Sequence, residues 1–169
     1  FAENEEKLQQ WIYDHSVTKY NRKLDIGYFD CTNYYYDISR PDQDEFDEEG
    51  NLVLKRYRKY GPEKNHRKDL IVEMGLLMDG SGIPLSYDMF PGNESEKVNM
   101  LPIINRTRVQ FGLGRIVVVA DRGLNTSDNI YKLNGKNDQD DNPRDGYVYG
   151  QSIRGADAEF KQWVLDQDG

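Results

Sequence analysis

Residues 115–124 read RIVVVADRGL, and this stretch decides the fold class. Its apolar run, residues 116–120, stands between a glycine-containing turn and the turn residues Asp121, Arg122 and Gly123. A continuous Val/Ile run bounded in this way is typical of a strand that is buried on both faces of an α/β sheet. The run is far shorter than the roughly 20 residues that a transmembrane helix needs, so no membrane partner is expected.

Apolar periodicity on either side of this strand predicts the remaining elements. Residues 24–31 alternate, with Ile26, Tyr28 and Asp30 on one face, which predicts a strand that ends near Asp30. Residues 34–38 either extend this strand or start a second one. In the first helix, Leu8, Trp11, Ile12 and His15 recur at helical spacing and predict the face that packs on the rest of the chain. The other predicted helices cover 98–111, 126–133 and 156–165, and the other predicted strands cover 52–60, 70–78, 83–90 and 146–153. This order predicts an α/β sheet with antiparallel meander strands first and parallel strands afterwards.

Composition and charge limit the function classes. A single cysteine, Cys31, excludes a disulfide framework and a cysteine-based zinc site, and it fits a cytoplasmic protein. The net charge of −8 counts against a nucleic-acid binder, but the charges are segregated. Residues 37–49 carry seven acids and one arginine, whereas residues 51–68 carry seven Lys or Arg and one glutamate. The basic block therefore either contacts DNA phosphates or pairs with the acidic block across a hairpin.

Two aspartates could carry chemistry, because each follows an apolar strand. Ligands of α/β sheets bind at the carboxyl ends of strands, where Asp30 and Asp121 are predicted to lie. If the two strands are neighbours, both carboxylates face one point, and such oxygen ligands suit Mg²⁺ or Mn²⁺. The alternative is that each aspartate only caps the turn after its strand. The spacing of the two residues does not decide between these interpretations.

Five segments, in chain order between residues 24 and 150, give information about the family that hydrophobic periodicity does not give. They read DCTNYYY (30–36), GPEKNHRKDL (61–70), GLLMD with GIPL (75–79 and 82–85), FPGNES (90–95) and VVVADRGL (117–124). Together they resemble the catalytic domain of DDE-type insertion-sequence transposases. The resemblance implies an RNase H-like fold in which two aspartates and a later glutamate hold two Mg²⁺ or Mn²⁺ ions. It further implies that Asp30 and Asp121 are catalytic metal ligands.

The resemblance also implies a DNA partner, namely the element ends and the target, and a homo-oligomer in the transposition complex. The residues expected to contact DNA are Lys64, His66, Arg67 and Arg122. Residues 1–22 are expected to form a helix packed on the core, residues 23–153 a partial RNase H-like core, and residues 154–169 the start of an inserted or following segment.

No convincing third acid is present in the sequence. The family's Tyr-x₂-Arg-x₃-Glu signature is absent, and Glu159 lacks the expected neighbours. We therefore expect a core that is incomplete at its C-terminus, belonging to an enzyme that cleaves and joins DNA, and we expect the chain alone to bind metal weakly without cleaving DNA. Two alternatives stay open: a non-catalytic nucleic-acid-binding remnant, and a metal-dependent phosphohydrolase. The phosphohydrolase signature requires a second acid two residues after the first, where Thr32 stands.

Overall fold

A six-stranded mixed sheet forms the centre of the structure, a computed structural model that describes residues 4–22, 24–61, 69–134 and 145–166. The strands are β1 (Ile26–Tyr36), β2 (Glu45–Phe46), β3 (Leu52–Leu54), β4 (Lys59–Tyr60), β5 (Leu70–Asp79), β6 (Pro84–Pro91), β7 (Val117–Ala120) and β8 (Gly146–Tyr149). The helices are α1 (Glu5–Tyr20), α2 (Glu96–Phe111), α3 (Ser127–Leu133) and α4 (Ala158–Leu165), with a 3₁₀ turn over Arg122–Leu124. β2 and β3 form a separate two-stranded sheet.

The strand order confirms the predicted mixed sheet. Its path is β4-β5-β1-β7-β8, with β6 also paired to β5. β1, β5 and β6 pair antiparallel, whereas β1, β7 and β8 pair parallel. The meander strands therefore come first and the parallel strands afterwards, with helices flanking the sheet, as expected of an RNase H-like fold.

The hydrophobic core lies between the sheet and α2. Phe29, Leu77 and Val118 from the strands meet Ile103 and Ile104 from the helix, and all five are buried. Ser95 caps the N-terminus of α2, and Gly112 ends the helix in the left-handed conformation at φ 62°. One face of β1 and β7 is thereby buried, which leaves the opposite face for the aspartates.

β1 takes the longer of the two courses that the sequence left open. The strand continues through Asp30 to Tyr36 and pairs with β5 over its last ten residues, from Gly27 to Tyr36. The strand does not end near Asp30, and residues 34–36 extend it rather than start a second strand. Thr32 and the three tyrosines are good strand formers, and an exposed acid does not interrupt the ladder. The strands predicted over 52–60 and 146–153 are also shorter, reduced to β3 with β4 and to β8.

α1 packs through a different face from the one predicted. Leu8, Trp11 and Ile12 are exposed. Tyr13 instead stacks on Phe111 at the end of α2, with ring centroids 4.1 Å apart. Within the described ranges, none of the helices combines the length and the apolar character of a membrane-spanning segment.

Candidate metal centre and nucleic-acid interface

The two candidate aspartates are neighbours at the carboxyl end of β7. β1 and β7 pair parallel from Ile26 opposite Val117 to Phe29 opposite Ala120. Asp30 follows Phe29 on β1 and Asp121 follows Ala120 on β7, so the two aspartates come next in the register of two strands that lie about 4.8 Å apart. Because Phe29 and Ala120 are buried on the core face, the alternation of the strands directs both aspartates to the other face. Both are exposed there, and the two strands are neighbours, which is the condition under which the sequence placed both carboxylates at one point.

Each aspartate uses one carboxylate oxygen to accept a local backbone hydrogen bond. Oδ1 of Asp30 accepts from the N–H of Cys31 at 2.9 Å. Oδ1 of Asp121 accepts from the N–H of Arg122 at 2.6 Å and caps the 3₁₀ turn. Turn capping is therefore correct for Asp121 but not for Asp30, which lies inside a strand. Within the described residues, Oδ2 of neither aspartate accepts a hydrogen bond, so each keeps one oxygen for a ligand.

The donor set suits a hard divalent cation but is small. Two carboxylate oxygens from neighbouring strands are ligands of the type that Mg²⁺ and Mn²⁺ prefer. Among the described residues, however, no group of three or more His, Cys, Asp or Glu side chains is arranged to hold a metal ion. Glu159 is exposed in the first turn of α4 and joins no such group. The described residues therefore supply two of the carboxylate ligands that a complete metal site requires.

The described part of the basic block is paired rather than free. Arg58 contacts Asp42 at 2.6 Å and Lys59 contacts Asp44 at 3.0 Å, while Arg56 pairs with Glu45. The hydrogen bond from the Arg58 side chain is the largest factor that holds the pKa of Asp42 below its usual range. Lys55 pairs with Glu94, outside the acidic block. Each of these four cations is paired with an acid, so the structure favours the pairing interpretation for this part of the basic block over free contact with DNA phosphates.

The residues predicted to contact DNA divide into two groups. Lys64, His66 and Arg67 lie outside the described residues. Arg122 is exposed immediately after Asp121, and its guanidinium has no hydrogen bond or ion pair among the described residues. It stands beside the end of β8, since a Cβ at Gly150 would lie 3.4 Å from the Cβ of Arg122.

A polar cavity of about 370 Å³ lies on the face of β1 opposite to Asp30, and no pattern in the sequence predicted it. Asn33, the buried Glu73 and the loop from Asn93 to Lys97 line this cavity. Asn33 and Glu73 are register partners on β1 and β5. Asn93 lies in the turn that precedes α2, and Ser95 caps that helix. The available signal was the FPGNES segment, whose polar residues follow a buried strand.

Comparison with known proteins finds weak structural likeness only. No protein-family model matches the chain, and no curated protein matches it either. A Mos1 transposase paired-end complex with the left transposon end is similar at TM-score 0.42 and 12% identity, over 86% of this chain and 40% of that chain. A Mos1 mariner paired-end complex with Mn is similar at TM-score 0.35 and 13% identity, over 86% of this chain and 42% of that one. The chain spans about two fifths of the length of these proteins, and similarity at this level carries no functional inference.

Proposed function

We propose that the chain is the catalytic-core part of a DDE-type DNA transposase, in which Asp30 and Asp121 hold a divalent cation. The supporting observation is the register of β1 and β7, which makes the two aspartates next neighbours on one exposed face. The segment resemblance supports the transposase class, because it covers the strands that carry both aspartates. In the intact protein the reaction is phosphodiester cleavage and strand transfer on DNA.

Different groups of the chain have different roles at this site. Oδ2 of Asp30 and Oδ2 of Asp121 supply the ligand oxygens, while the N–H groups of Cys31 and Arg122 orient the two carboxylates through Oδ1. Divalent cations held by such carboxylates supply an activated water and stabilise charge on the leaving oxygen of a phosphodiester. The exposed guanidinium of Arg122 binds a DNA phosphate, for which its planar donor geometry is well suited.

Two carboxylates make an incomplete ligand set, so the chain alone binds metal weakly and does not cleave DNA. A third carboxylate completes the set in the intact protein. A phosphohydrolase with a nucleophilic aspartate instead needs a second acid two residues after the first, where Thr32 stands.

Manganese titration of the 169-residue chain tests the metal assignment. Electron paramagnetic resonance of free Mn²⁺ should reveal a weak site that Asp30→Asn or Asp121→Asn weakens at least about tenfold, since even outer-shell changes cost tenfold or more. Asp37→Asn is a matched control, because Asp37 is also exposed but follows β1 about 23 Å beyond Asp30. Equal Mn²⁺ affinity in all four proteins would overturn the assignment.

DNA binding tests the role of Arg122. Arg122→Ala should weaken binding of duplex DNA and lower the slope of log K against log salt by about one, as expected when one phosphate contact is lost. Arg40→Ala removes an exposed arginine within the acidic block and serves as the control. An unchanged salt slope in Arg122→Ala would contradict the phosphate contact.

A further inference from the structure

The fold holds the two proposed metal ligands in different ways. Asp30 lies inside β1 and is the register partner of Leu76 on β5, so a strand ladder fixes its backbone. Asp121 follows Ala120, the last residue of β7, and no ladder among the described strands includes it. Its backbone depends instead on the 3₁₀ turn that begins at the next residue. Contacts that hold this turn therefore also set the direction of the Asp121 carboxylate.

A chain of hydrogen bonds leads from Asp121 to α2. The N–H of Leu124 donates to the carbonyl of Asp121 at 3.0 Å. The carbonyl of Leu124 in turn accepts from Nδ2 of Asn129 at 3.0 Å. The same Nδ2 donates to the carbonyl of Lys97, in the first turn of α2, at 3.2 Å. Asn129 thus connects the turn after Asp121 to the helix that packs on the core.

Asn129 is buried and oriented for these two contacts. It is 2% exposed and lies in the first turn of α3, where its N–H donates to Oγ1 of the capping residue Thr126 at 3.2 Å. The last residue of the 3₁₀ turn, Leu124, is also 2% exposed and belongs to the hydrophobic core. Removing the amide of Asn129 would take one donor from two carbonyls at once, and buried hydrogen bonds of this kind restrain the segments that they join.

We infer that Asn129 is a positioning residue for the proposed metal site. Its two side-chain bonds go to backbone carbonyls, so it acts on Asp121 through the turn and not on the carboxylate itself. Asp30 needs no such residue, because the ladder with β5 already holds it. The inference rests on the proposed function, and its test must separate a loss of position from a general loss of stability.

Manganese titration separates these two effects. Asn129→Ala should weaken Mn²⁺ binding about fivefold, less than the tenfold or more expected when a group bonded directly to a metal ligand is changed. Phe111→Leu is the control, because it removes the ring that stacks on Tyr13, about 21 Å along α2 from Lys97. The control should lower stability to urea but bind Mn²⁺ like the wild type. Wild-type Mn²⁺ affinity in Asn129→Ala, or the same loss of affinity in Phe111→Leu, would overturn the inference.

Hydrogen exchange of backbone N–H groups tests the turn in the metal-free chain. The N–H groups of Leu124 and Asn125, which donate within the turn, should exchange about tenfold faster in Asn129→Ala, because the loss of buried hydrogen bonds lets the turn open locally. Phe111→Leu should leave both exchange rates unchanged. Exchange at the wild-type rate in Asn129→Ala would contradict the positioning role.

Thr126→Ala is a second variant, in which the amide of Asn129 is retained. It removes the cap that orients Asn129, so it should change Mn²⁺ affinity and exchange in the same direction by a smaller amount. A change of either quantity in the opposite direction would count against the inference. A wild-type chain without an Asp121-dependent Mn²⁺ site would instead overturn the proposed function, while the exchange rates would still decide whether Asn129 holds the turn.

Discussion

Replacing Arg22 with methionine is expected to destabilise the fold strongly, because it leaves a buried carboxylate without its cation. The side chains of Arg22 and Asp79 are 1% and 0% exposed, and Nε of Arg22 donates to Oδ2 of Asp79 at 2.6 Å. Arg22 also donates to Oγ of Ser16 and to the carbonyls of Ile83 and Pro84. This network ties the end of α1 to the hairpin between β5 and β6.

The expected loss is about 3–5 kcal/mol, the range for removing one partner of a buried ion pair. That is a large share of the roughly 5–15 kcal/mol that stabilises a typical domain. With a urea slope of about 2 kcal/mol/M, the midpoint of unfolding should fall by about 1.5–2.5 M. Circular dichroism during urea titration measures this shift.

Arg106→Met is the matched control for this prediction. Arg106 pairs with Asp88 at 2.8 Å, but the two side chains are 38% and 42% exposed. A surface pair of this kind contributes about 0–1 kcal/mol. If Arg22→Met costs no more stability than Arg106→Met, the buried network does not fasten α1 to the sheet.

The pH dependence of the Arg22→Met effect follows from Asp79. Burial by itself raises the pKa of Asp79, but hydrogen bonds from Arg22, Ile83 and Ser81 together outweigh it and hold the pKa below its usual value. A carboxylate with a lowered pKa stabilises the fold above the ordinary carboxyl pKa of about 3.9, and this contribution is lost as the pH falls further. The stability gap between wild type and Arg22→Met should therefore narrow below about pH 4, and a gap that widens there would contradict this account.

Two further predictions concern the core and β8. Gly75→Ala should lower the free energy of unfolding in urea by about 1–3 kcal/mol, because the new Cβ would lie 2.7 Å from Cδ1 of Ile103 and 2.9 Å from Cζ of Phe29. Gly114→Ala is the control and should be neutral or slightly stabilising, since its new Cβ meets nothing within 4 Å. Similar losses of stability in both variants would refute the packing explanation. Burial, with a smaller contribution from Tyr147, raises the pKa of Tyr149 to about 12, so stability should be full below about pH 10 and decline from there towards pH 12. Tyr149→Phe should remove that part of the decline, and an unchanged alkaline profile would contradict it.

Local sequence patterns predicted the parts of the fold that local physics determines. The Val/Ile run before Asp121 predicted β7, and the strands predicted over 70–78 and 83–90 correspond to β5 and β6. The helix predicted over 126–133 corresponds to α3, which Thr126 caps. The sequence left open whether the strands that carry Asp30 and Asp121 are neighbours, and the parallel pairing of β1 with β7 is what places the two aspartates side by side.

Contacts between distant segments were beyond sequence reasoning. The packing face of α1 depends on Tyr13 meeting Phe111 and on Arg22 meeting Asp79, so the apolar spacing of Leu8 and Trp11 indicated the wrong face. The sequence did not decide whether the basic block contacts DNA or pairs with the acidic block, and the ion pair of Arg58 with Asp42 favours pairing. Charge segregation alone does not show which acids a cation contacts.

Locating Mn²⁺ by anomalous scattering in a crystal of this chain tests the metal site most directly. The account predicts one anomalous peak at coordinating distance from Oδ2 of Asp30 and Oδ2 of Asp121, and no such peak in an Asp121→Asn crystal. Carboxylates that diverge, or Mn²⁺ bound only at other acids, would contradict the proposed site and leave a mixed sheet without the assigned chemistry.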